Sequence, residues 1–469
     1  TTIPPLTIQV KEKQYTVTFE NGIYNGVYVI FVINSIFTNK MGVYTYTGND
    51  EQLNNKLKKG TGHIDEKIMD MVFQKAVLLY GVHSGIIPNI IHCQDATTAL
   101  IPFFANKFTQ FKNIYINTKF FITIHNGGPG YHHQLGTLEE ASEYIGLPVS
   151  ELYQGILNYQ VEPFILSSFY STMTTVSPWY AKELTDPDNK SSAGLSKAFF
   201  DLHIPIIGIT NGIDFEKYDT TDTAKSCLPH SYSPENLELE GKYKNREDFL
   251  SYYSKKRAIP PSIDQTKEYI IQHGFLSPCE NSVYFCYHGR VVHQKGTDIF
   301  LEAAKIALLK DPDLRFIITG QGNSDLENNH IQVAKEYPGQ YLYLQGYERR
   351  TARLCVAVGD FMILPSLFEP CCLEDFIAQI FGTIPIAHAI GGLQKLIDNE
   401  TGFLYKPNTP EVLADIILEK ADYFRKNPDT YLNLISNSIG YIRKNYSWEN
   451  IISTQYIPLY NKVLQAEKK

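Results

Sequence analysis

The sequence lacks several patterns that would mark particular classes of protein. Its seven cysteines are an odd number among 469 residues, and no two of them form a Cys-x-x-Cys pair. We therefore expect neither a disulfide framework nor a structural zinc site, and free thiols are typical of the reducing cytosol. No apolar run reaches the ~18 residues of a membrane-spanning helix, and no signal-peptide pattern opens the chain. The net charge of −8 argues against nucleic acids and anionic membranes as partners.

Two common nucleotide-binding motifs are also missing. The chain contains no Gly-x-x-x-x-Gly-Lys-[Ser/Thr] loop, which excludes a P-loop. No Gly-x-Gly-x-x-Gly follows the first strands of either predicted domain, which argues against a nicotinamide dehydrogenase, the alternative at the level of the fold. A length of 469 residues predicts two or three domains, because single cores stop growing well below this size.

Short apolar runs alternate with helical patterns along most of the chain. In the first half the runs lie at 26–33, 89–93, 119–125, 173–177 and 204–210, with helical spacing at 71–82 and 97–108. Because both faces of these runs are apolar, we interpret them as buried parallel strands. In the second half we predict strands at 282–289, 314–320, 341–346, 361–365 and 384–389, and helices at 297–310, 325–336, 350–358 and from about 373. The pattern predicts an α/β protein with two doubly wound, Rossmann-like domains.

The alternation is interrupted after Asn211-Gly212-Ile213-Asp214. We predict a first domain over 1–215, an interdomain crossing over 216–262 with a short helix near 245–256, and a second domain over 263–445. A long amphipathic helix over 446–469 is predicted to cross back to the first domain. Two such domains would face a central cleft, and ligands of open α/β sheets lie beyond the carboxyl ends of the strands.

Chemically useful side chains follow several of the predicted strands. His125 ends the strand 119–125, although a histidine satisfied by its own loop is the commoner case. Arg290 and Lys295 follow the strand 282–289 and precede a helix, where both could face a phosphate group. The alternative is a solvated pair of basic residues, which explains the charge but not the placement at a strand end.

Three more strand-end positions have two interpretations each. Gly320, in Ile-Thr-Gly-Gln-Gly-Asn, fits a tight turn as well as a nucleotide contact. Tyr347 could stack on a base, or it could be one more surface or core tyrosine among 32. Glu369 precedes a helix whose start would attract an anionic sugar phosphate, or it is simply a favourable helix-start residue. The adjacent Cys371 and Cys372 are most simply small packing residues.

Taken together, these segments resemble the glycogen and starch synthases, retaining glucosyltransferases of the GT-B fold. The resemblance covers nearly the whole chain, and the 22 positions from Tyr347 to Glu369 match the spacing in that family. The matching segments are IIHCQDATTALIP, FFITIHN, TTVSPWYAKEL, GITNGID, GKYKNREDF, GRVVHQKGTDIF, QGY, PSLFEPCCLEDFIAQIFGTIPI, GGLQKLI, TGFLY and YSWEN.

The resemblance implies a reaction and its partners. Glucose would pass from ADP-glucose to the nonreducing end of an α-1,4-glucan, with retention of configuration and without a metal or other cofactor. The partners would be a nucleotide sugar and an α-glucan, with no nucleic acid and no membrane. The protein would lie in the cytoplasm, or in the plastid stroma if it comes from a plant. The choice between ADP- and UDP-glucose and the oligomeric state stay open.

The resemblance also implies roles for individual residues. Arg290 and Lys295 would bind the diphosphate, Glu369 would hold the glucose hydroxyls, and His125 would contact the reacting face of the glucose, its backbone carbonyl helping a developing oxocarbenium ion. Donor binding would further involve Asp95, Asn211, Gly320, Tyr347 and the backbone amides of Cys372, Leu373 and Glu374.

The chain departs from the pattern of this family in several places. The family opens with a strand and a Lys-Thr-Gly-Gly loop, and we expect both to be missing from the domain 1–215. Its Asp-Trp-His is here Asp95-Ala96-Thr97, its Tyr-Gln-Gly after His-Asn is the loop 127–131, and its Cys-Gly-Leu is Cys371-Cys372-Leu373. The first two changes touch the acceptor side. They leave two alternatives, another GT-B enzyme with a different acceptor and a catalytically inactive glucan-binding homologue.

Overall fold

The computed structural model describes residues 3–43, 45–58, 60–255 and 269–466. The part of the predicted crossing over 256–262 and the end of the predicted C-terminal helix, 467–469, lie outside these ranges. Contacts divide the chain into two compact units, Thr1–Ile209 with Tyr456–Lys469, and Thr210–Gln455. The domain boundaries proposed at 215, 262 and 445 stay predictions.

The first unit combines a parallel sheet, an antiparallel sheet, one long helix and several short helices. Its strands are β1 (Leu6–Val10), β2 (Lys13–Tyr24), β3 (Val27–Ile33), β4 (Ile90–Gln94), β5 (Lys119–Ile124), β6 (Ile156–Leu157), β7 (Gln160–Val161), β8 (Thr172–Thr175) and β9 (Ile206–Gly208). Its helices are α1 (Ser35–Thr38), α2 (Gly48–Leu53), α3 (Glu66–Ser84), α4 (Ile101–Lys107), α5 (Thr109–Lys112), α6 (Leu138–Ile145), α7 (Pro163–Ser168), α8 (Pro178–Glu183) and α9 (Leu195–Asp201).

The parallel sheet of this unit has the order β4-β5-β8-β9. The strands predicted at 89–93, 119–125, 173–177 and 204–210 are confirmed as these four. Nearly every residue of β5 is buried, as expected for a strand covered on both faces. Asp95 follows β4 and His125 follows β5, so both residues lie at the carboxyl edge of this sheet.

The prediction of a buried parallel strand at 26–33 is wrong. This segment is β3, which pairs antiparallel with β2 and leaves much of its surface exposed. The two strands are joined by Asn25 and Gly26, with φ angles of 49° and 78°. Asn-Gly is a strong signal for a two-residue hairpin because both central positions need positive φ. The apolar run alone does not distinguish the two strand types, whereas the turn that precedes it does.

The second unit contains the larger sheet. Its strands are β10 (Tyr269–Gly274), β11 (Val283–His288), β12 (Leu314–Gly320), β13 (Tyr341–Tyr347), β14 (Phe361–Leu364), β15 (Ile384–His388) and β16 (Phe403–Tyr405). Its helices are α10 (Thr223–Ser226), α11 (Glu240–Tyr253), α12 (Thr297–Lys310), α13 (Ser324–Glu336), α14 (Arg349–Val358), α15 (Glu374–Ile380), α16 (Pro410–Lys426), α17 (Pro428–Tyr446) and α18 (Trp448–Ile451).

The order of this sheet is β10-β13-β12-β11-β14-β15-β16. Strand β10 is antiparallel to β13, and the other neighbours are parallel. The parallel part has the order 3-2-1-4-5-6 of a doubly wound sheet, with its reversal between β11 and β14. The loops that leave these two strands carry Arg290, Lys295 and Glu369. The predicted α/β class is therefore confirmed, and the reversal gives a physical reason for a ligand crevice at these residues.

Helix α11 lies in the segment predicted as a crossing and is fixed to the second unit by a buried lysine. The Nζ of Lys242 donates hydrogen bonds to the backbone carbonyls of Ala357, Gly359 and Phe381, at 2.6, 2.9 and 3.2 Å. These carbonyls precede β14 and β15, so the contact lies at the amino end of those strands.

The chain ends in an interrupted helical segment. Helix α18 is followed by a π-helical stretch, Ile452–Tyr456, and then by α19 (Ile457–Gln465), which belongs to the first unit. Tyr460 of α19 contacts His92 of β4, with its hydroxyl 2.6 Å from Nδ1. Among the described residues, no helix is both long and apolar enough to span a bilayer.

Candidate functional site

A cavity of ≈ 390 Å³ opens at the carboxyl end of the sheet in the second unit. Residues that end or follow four neighbouring strands line it, and the reversal of the strand order lies among them. The lining includes six of the predicted site residues: Arg290, Lys295, Gly320, Tyr347, Cys372 and Glu374. The structure therefore brings most of the predicted donor residues to one place.

Close backbone packing shapes the floor of this cavity. Gly289 and Gly320 follow β11 and end β12, with φ angles of 153° and 151°. A Cβ on Gly320 would lie 1.9 Å from the carbonyl oxygen of Gly289, so only glycine fits there. The hydroxyl of Tyr287 donates to the carbonyl of Arg290 at 2.7 Å and fixes the backbone that carries the guanidinium.

Lys295 and Glu369 meet beside the cavity. The Nζ of Lys295 lies 2.5 Å from Oε2 of Glu369, and the hydroxyl of Ser366 donates to the same oxygen at 3.1 Å. The side chains are 21% and 8% exposed. Burial disfavours the charged ammonium, but the charge and hydrogen bond of Glu369, together with other acidic groups nearby, outweigh burial and raise the pKa of Lys295. The lysine is therefore held as a cation on the wall of the cavity.

The loop between Glu369 and α15 contains both adjacent cysteines. Cys372 has a φ of 62°, in the left-handed region that residues with a side chain rarely adopt. Burial raises the pKa of the Cys371 thiol to about 11 and that of Cys372 well above its ordinary value. Both thiols are thus protonated packing groups, as the simpler interpretation of the sequence has it. The backbone of Asn211 lies near the Cys371 thiol and partly offsets the rise in its pKa, which brings Asn211 to this loop, while Leu373 is exposed beside it.

Tyr347 is the last residue of β13 and lies at the edge of the cavity. Its ring is stacked on His288, with the centroids 6.3 Å apart and an interplanar angle of 26°, and it is 44% exposed. A second cavity of ≈ 160 Å³ lies against the same tyrosine, lined also by Lys217, Arg349 and Arg353. The exposed part of Tyr347 can therefore contact a flat ligand group at the edge of the ≈ 390 Å³ cavity.

Asp95 and His125 form a separate cluster in the first unit. Oδ1 of Asp95 accepts hydrogen bonds from the backbone N–H groups of His125 and Asn126, at 2.7 and 3.4 Å. Gln94 Oε1 lies 2.7 Å from Nε2 of His125. Asp95 has a φ of 59°, and burial raises its pKa. Strained backbone of this kind persists where the surroundings fix it, often at functional sites.

The loop after His125 is anchored by residues that were not predicted from the sequence as site residues. The ring Nε2–H of His132 donates to the carbonyl of Gly127 at 2.9 Å, and its Nδ1 lies 3.1 Å from Oε2 of the buried Glu162. The hydroxyl of Tyr180 accepts from the N–H of Gly127 at 2.8 Å. The position of His132 beside a glycine-rich strand-end loop is a signal that could have identified it.

Glu66, Asp70 and His133 place three potential metal-ligand atoms within 4.8 Å of one another in the first unit. Nδ1 of His133 lies 2.8 Å from Asp70 and 3.0 Å from Glu66, as expected of an N–H donor. Burial disfavours the imidazolium, but the hydrogen bond to Asp70 and the charges of Asp70 and Glu66 together outweigh burial and raise the pKa of His133. The expectation that the chain uses no metal stays a prediction.

Two family models match different parts of the chain. Residues 2–199 match the starch synthase catalytic domain, and residues 282–422 match the glycosyl transferases group 1. The glycogen synthase of Thermodesulfovibrio yellowstonii is 28% identical over 418 residues, which cover 87% of this chain and 76% of that protein. The glycogen synthase of Flavobacterium johnsoniae is 28% identical over 420 residues, 87% of this chain and 79% of the relative.

Solved structures show the same fold. The catalytic domain of starch synthase IV from Arabidopsis thaliana, bound to ADP and acarbose, superposes with a TM-score of 0.77 at 21% identity, over 99% of this chain and 87% of that one. A glycosyltransferase from Rickettsia africae superposes with a TM-score of 0.51 at 15% identity, over 90% and 89%. The predicted GT-B fold is confirmed. The chain is thus similar to the glycogen synthases over most of its length, and residues 2–199 match the starch synthase catalytic domain.

Proposed function

We propose that this protein transfers glucose from ADP-glucose to the nonreducing end of an α-1,4-glucan, with retention of configuration. The relatives that are named glycogen synthases support the acceptor, and the starch synthase IV structure, which holds ADP, supports the donor. One observation supports the proposal most strongly. Arg290, Lys295 and Glu369 come together from two neighbouring loops at the reversal of a doubly wound sheet.

Two cations on one cavity wall suit a diphosphate. Negative charge builds on the leaving phosphate as its bond to glucose breaks, and positive groups that already stand in place stabilise that charge. Arg290 would supply a planar fork of N–H donors and Lys295 a compact ammonium. The raised pKa of Lys295 fits an ammonium at this position, which is the form that attracts a diphosphate.

Glu369 would then hold the glucose. Its Oε2 takes the contacts with both Lys295 and Ser366. Within the described part of the chain Oε1 accepts no hydrogen bond, so it can accept hydrogen bonds from glucose hydroxyls. A single carboxylate would in this way join the diphosphate site to the sugar site.

The remaining roles follow the family resemblance. The face of Tyr347 would stack on the adenine, and the backbone amides of Cys372, Leu373 and Glu374 would face the diphosphate. His125 would contact the reacting face of the glucose, and its backbone carbonyl would stabilise a developing oxocarbenium ion. Asp95 and Asn211 would contact the sugar. The departing phosphate would assist front-side attack by the acceptor hydroxyl, which retains the configuration.

The test is incubation of the natural full-length protein with ADP-glucose labelled in the sugar, together with glycogen. We expect label in the polymer, and we expect β-amylase to release it as maltose, because that enzyme cleaves α-1,4 linkages from the nonreducing end. UDP-glucose in a parallel reaction measures the preference for the base. Folded protein that binds glycogen but transfers no label would contradict the proposal and support an inactive glucan-binding homologue.

The changed loop at 127–131 favours one second candidate, a related enzyme with another acceptor. Tyr180 and His132 both form hydrogen bonds with the backbone of Gly127, the first residue of this loop. These bonds fix the direction in which the loop leaves the strand. A panel of glucosyl acceptors, assayed with the same labelled donor, separates the two candidates. Label on a small acceptor but not on glycogen would favour the second.

A further inference from the structure

A second buried lysine lies beneath the loop that carries the two cysteines. The Nζ of Lys395 donates to the carbonyls of Cys371, Cys372 and Gly392 at 2.6, 3.1 and 3.2 Å. It also forms an ion pair with Oδ1 of Asp375 at 2.9 Å. The two side chains are 1% and 0% exposed, so both charges are removed from water.

The contacts of Lys395 fix the direction of two peptide groups. In a trans peptide the C=O and the following N–H point in opposite directions. The carbonyls of Cys371 and Cys372 point at Lys395, so the N–H groups of Cys372 and Leu373 point to the other side of the loop. Cys372 lines the ≈ 390 Å³ cavity. The lysine therefore determines how this part of the backbone faces the proposed diphosphate site.

The segment around Lys395 also reaches Glu369. The N–H of Gly392 donates to the carbonyl of Glu369 at 2.7 Å. A Cβ on Gly392 would lie 2.4 Å from Cα of Cys371, so the two segments are in direct backbone contact. Residues 391–395 thus hold both the start and the middle of the loop 369–373.

Stability alone does not explain this arrangement. Removing two charges from water is costly, and apolar replacements of a buried ion pair are often neutral or stabilising. An apolar pair, however, would leave the carbonyls of Cys371 and Cys372 without their donor. The lysine, unlike an apolar residue, orients the loop through these carbonyls, and Cys372 keeps its left-handed conformation there.

We propose that Lys395, paired with Asp375, is a positioning residue for the donor site. It orients the N–H groups of Cys372 and Leu373 toward the diphosphate and keeps Glu369 beside Lys295. The identity of the ligand rests on the proposed function, whereas the role of Lys395 rests on these contacts.

Lys242 offers a matched control within the same unit. It is also fully buried and also donates to three backbone carbonyls, those of Ala357, Gly359 and Phe381. These carbonyls precede β14 and β15, whereas the cavity lies beyond the carboxyl ends of the strands. A methionine at 242 removes a comparable set of contacts without touching the loop 369–373.

The experiment compares the wild-type chain with Lys395→Met, Lys242→Met and the double variant Lys395→Met/Asp375→Met. Each is measured for thermal unfolding, for ADP affinity by calorimetry, and for kcat and KM with ADP-glucose and with glycogen. For Lys395→Met we expect ADP binding at least tenfold weaker and kcat lower by up to ~100-fold, because small displacements of positioned groups are this costly. The KM for glycogen should stay unchanged.

The other two variants separate positioning from stability. Lys242→Met should unfold at a lower temperature and keep its ADP affinity. The double variant has no unpaired buried charge, so its unfolding temperature should return toward that of the wild type while its ADP affinity stays weak. If Lys395→Met does not fold, the double variant still tests whether ADP affinity depends on Lys395.

Two results would overturn the inference alone. One is a double variant that regains both stability and ADP affinity, and the other is a Lys242→Met variant that loses as much affinity as Lys395→Met. A wild-type protein that neither binds ADP nor transfers glucose would overturn the proposed function, and this inference with it.

Discussion

Lys295 and Glu369 form an ion pair although 74 positions separate them in the sequence, with Nζ 2.5 Å from Oε2. The lysine comes from the loop after β11 and the glutamate from the loop after β14, which are neighbours in the sheet. The pair therefore joins the two loops on either side of the strand-order reversal. Groups fixed in this way need little rearrangement as charge develops in a reaction.

Replacing Lys295 by methionine should lower kcat/KM for ADP-glucose by about 10²–10³-fold, as loss of one preorganised donor does in other enzymes. The variant should also unfold at a lower temperature, because Glu369 loses its counter-charge in a largely buried place. Steady-state kinetics and thermal unfolding check both effects. Lys305→Met is the control, since Lys305 pairs with Glu302 on the exposed surface of α12 and such pairs contribute little. Full activity of Lys295→Met would refute its assigned role.

Replacing Tyr347 by alanine should raise the KM for ADP-glucose and leave the unfolding temperature nearly unchanged. Stacking of a base on an aromatic ring is worth about 1–3 kcal/mol, and the ring is half-exposed. Tyr347→Phe keeps the ring and should behave like the wild type. Tyr159→Ala, at an exposed tyrosine of the first unit, is the control. An unchanged KM in Tyr347→Ala would show that the base binds elsewhere.

Gly392→Ala should weaken ADP binding and destabilise the fold. Its Cβ would meet Cα and the carbonyl oxygen of Cys371 at 2.4 Å, so the backbone of the loop has to move. Gly440→Ala is the counterpart, because nothing lies within 4 Å of the added Cβ in the middle of α17. That change should stabilise the chain by about 0.5–1 kcal/mol. Denaturant unfolding and ADP calorimetry on both variants test the contrast, which equal effects would contradict.

His132 should stabilise the first unit most at acidic pH. Burial disfavours the imidazolium, but the contact with Glu162 and the hydrogen bond to Gly127 together outweigh burial and raise the pKa of His132 above its ordinary 6.5. The folded chain therefore holds this proton more tightly than the unfolded chain. The contribution is fully present below pH 6.5 and is lost as the pH rises through the folded-state value.

The measurement is urea unfolding of the wild type and His132→Gln at pH 6 and at pH 9. The difference in free energy of unfolding between the two proteins should be larger at pH 6. His203→Gln, at an exposed histidine, controls for loss of a surface imidazole. A difference that is the same at both pH values would show that the charged form of His132 contributes nothing.

Much of the second unit could be predicted from local sequence pattern. Strands β12 and β13 are largely apolar runs followed by helical spacing, and the structure has them within one residue of the predicted bounds. Arg290, Lys295 and Glu369 were identifiable because a strand end is a local feature and parallel strands place their ends at one edge. The antiparallel strand β10 was not predicted, since its six residues show no clear period.

Contacts between distant residues could not be predicted in the same way. Nothing near Lys395 in the sequence shows that it is buried, and its partner Asp375 lies on a different element. A buried charge depends on what surrounds it in the folded chain, whereas the local pattern of charged residues usually indicates an exposed face. The pairing of Lys295 with Glu369 likewise depends on the adjacency of β11 and β14, which follows from the strand order.

Calorimetric titration of ADP into the natural full-length protein and into Lys295→Met tests most directly whether this cavity binds the donor diphosphate. The wild type should bind ADP, and ADP should inhibit glucose transfer competitively with ADP-glucose. The variant should bind at least tenfold more weakly. Equal ADP affinity of the two proteins would contradict the placement of the diphosphate at Arg290 and Lys295.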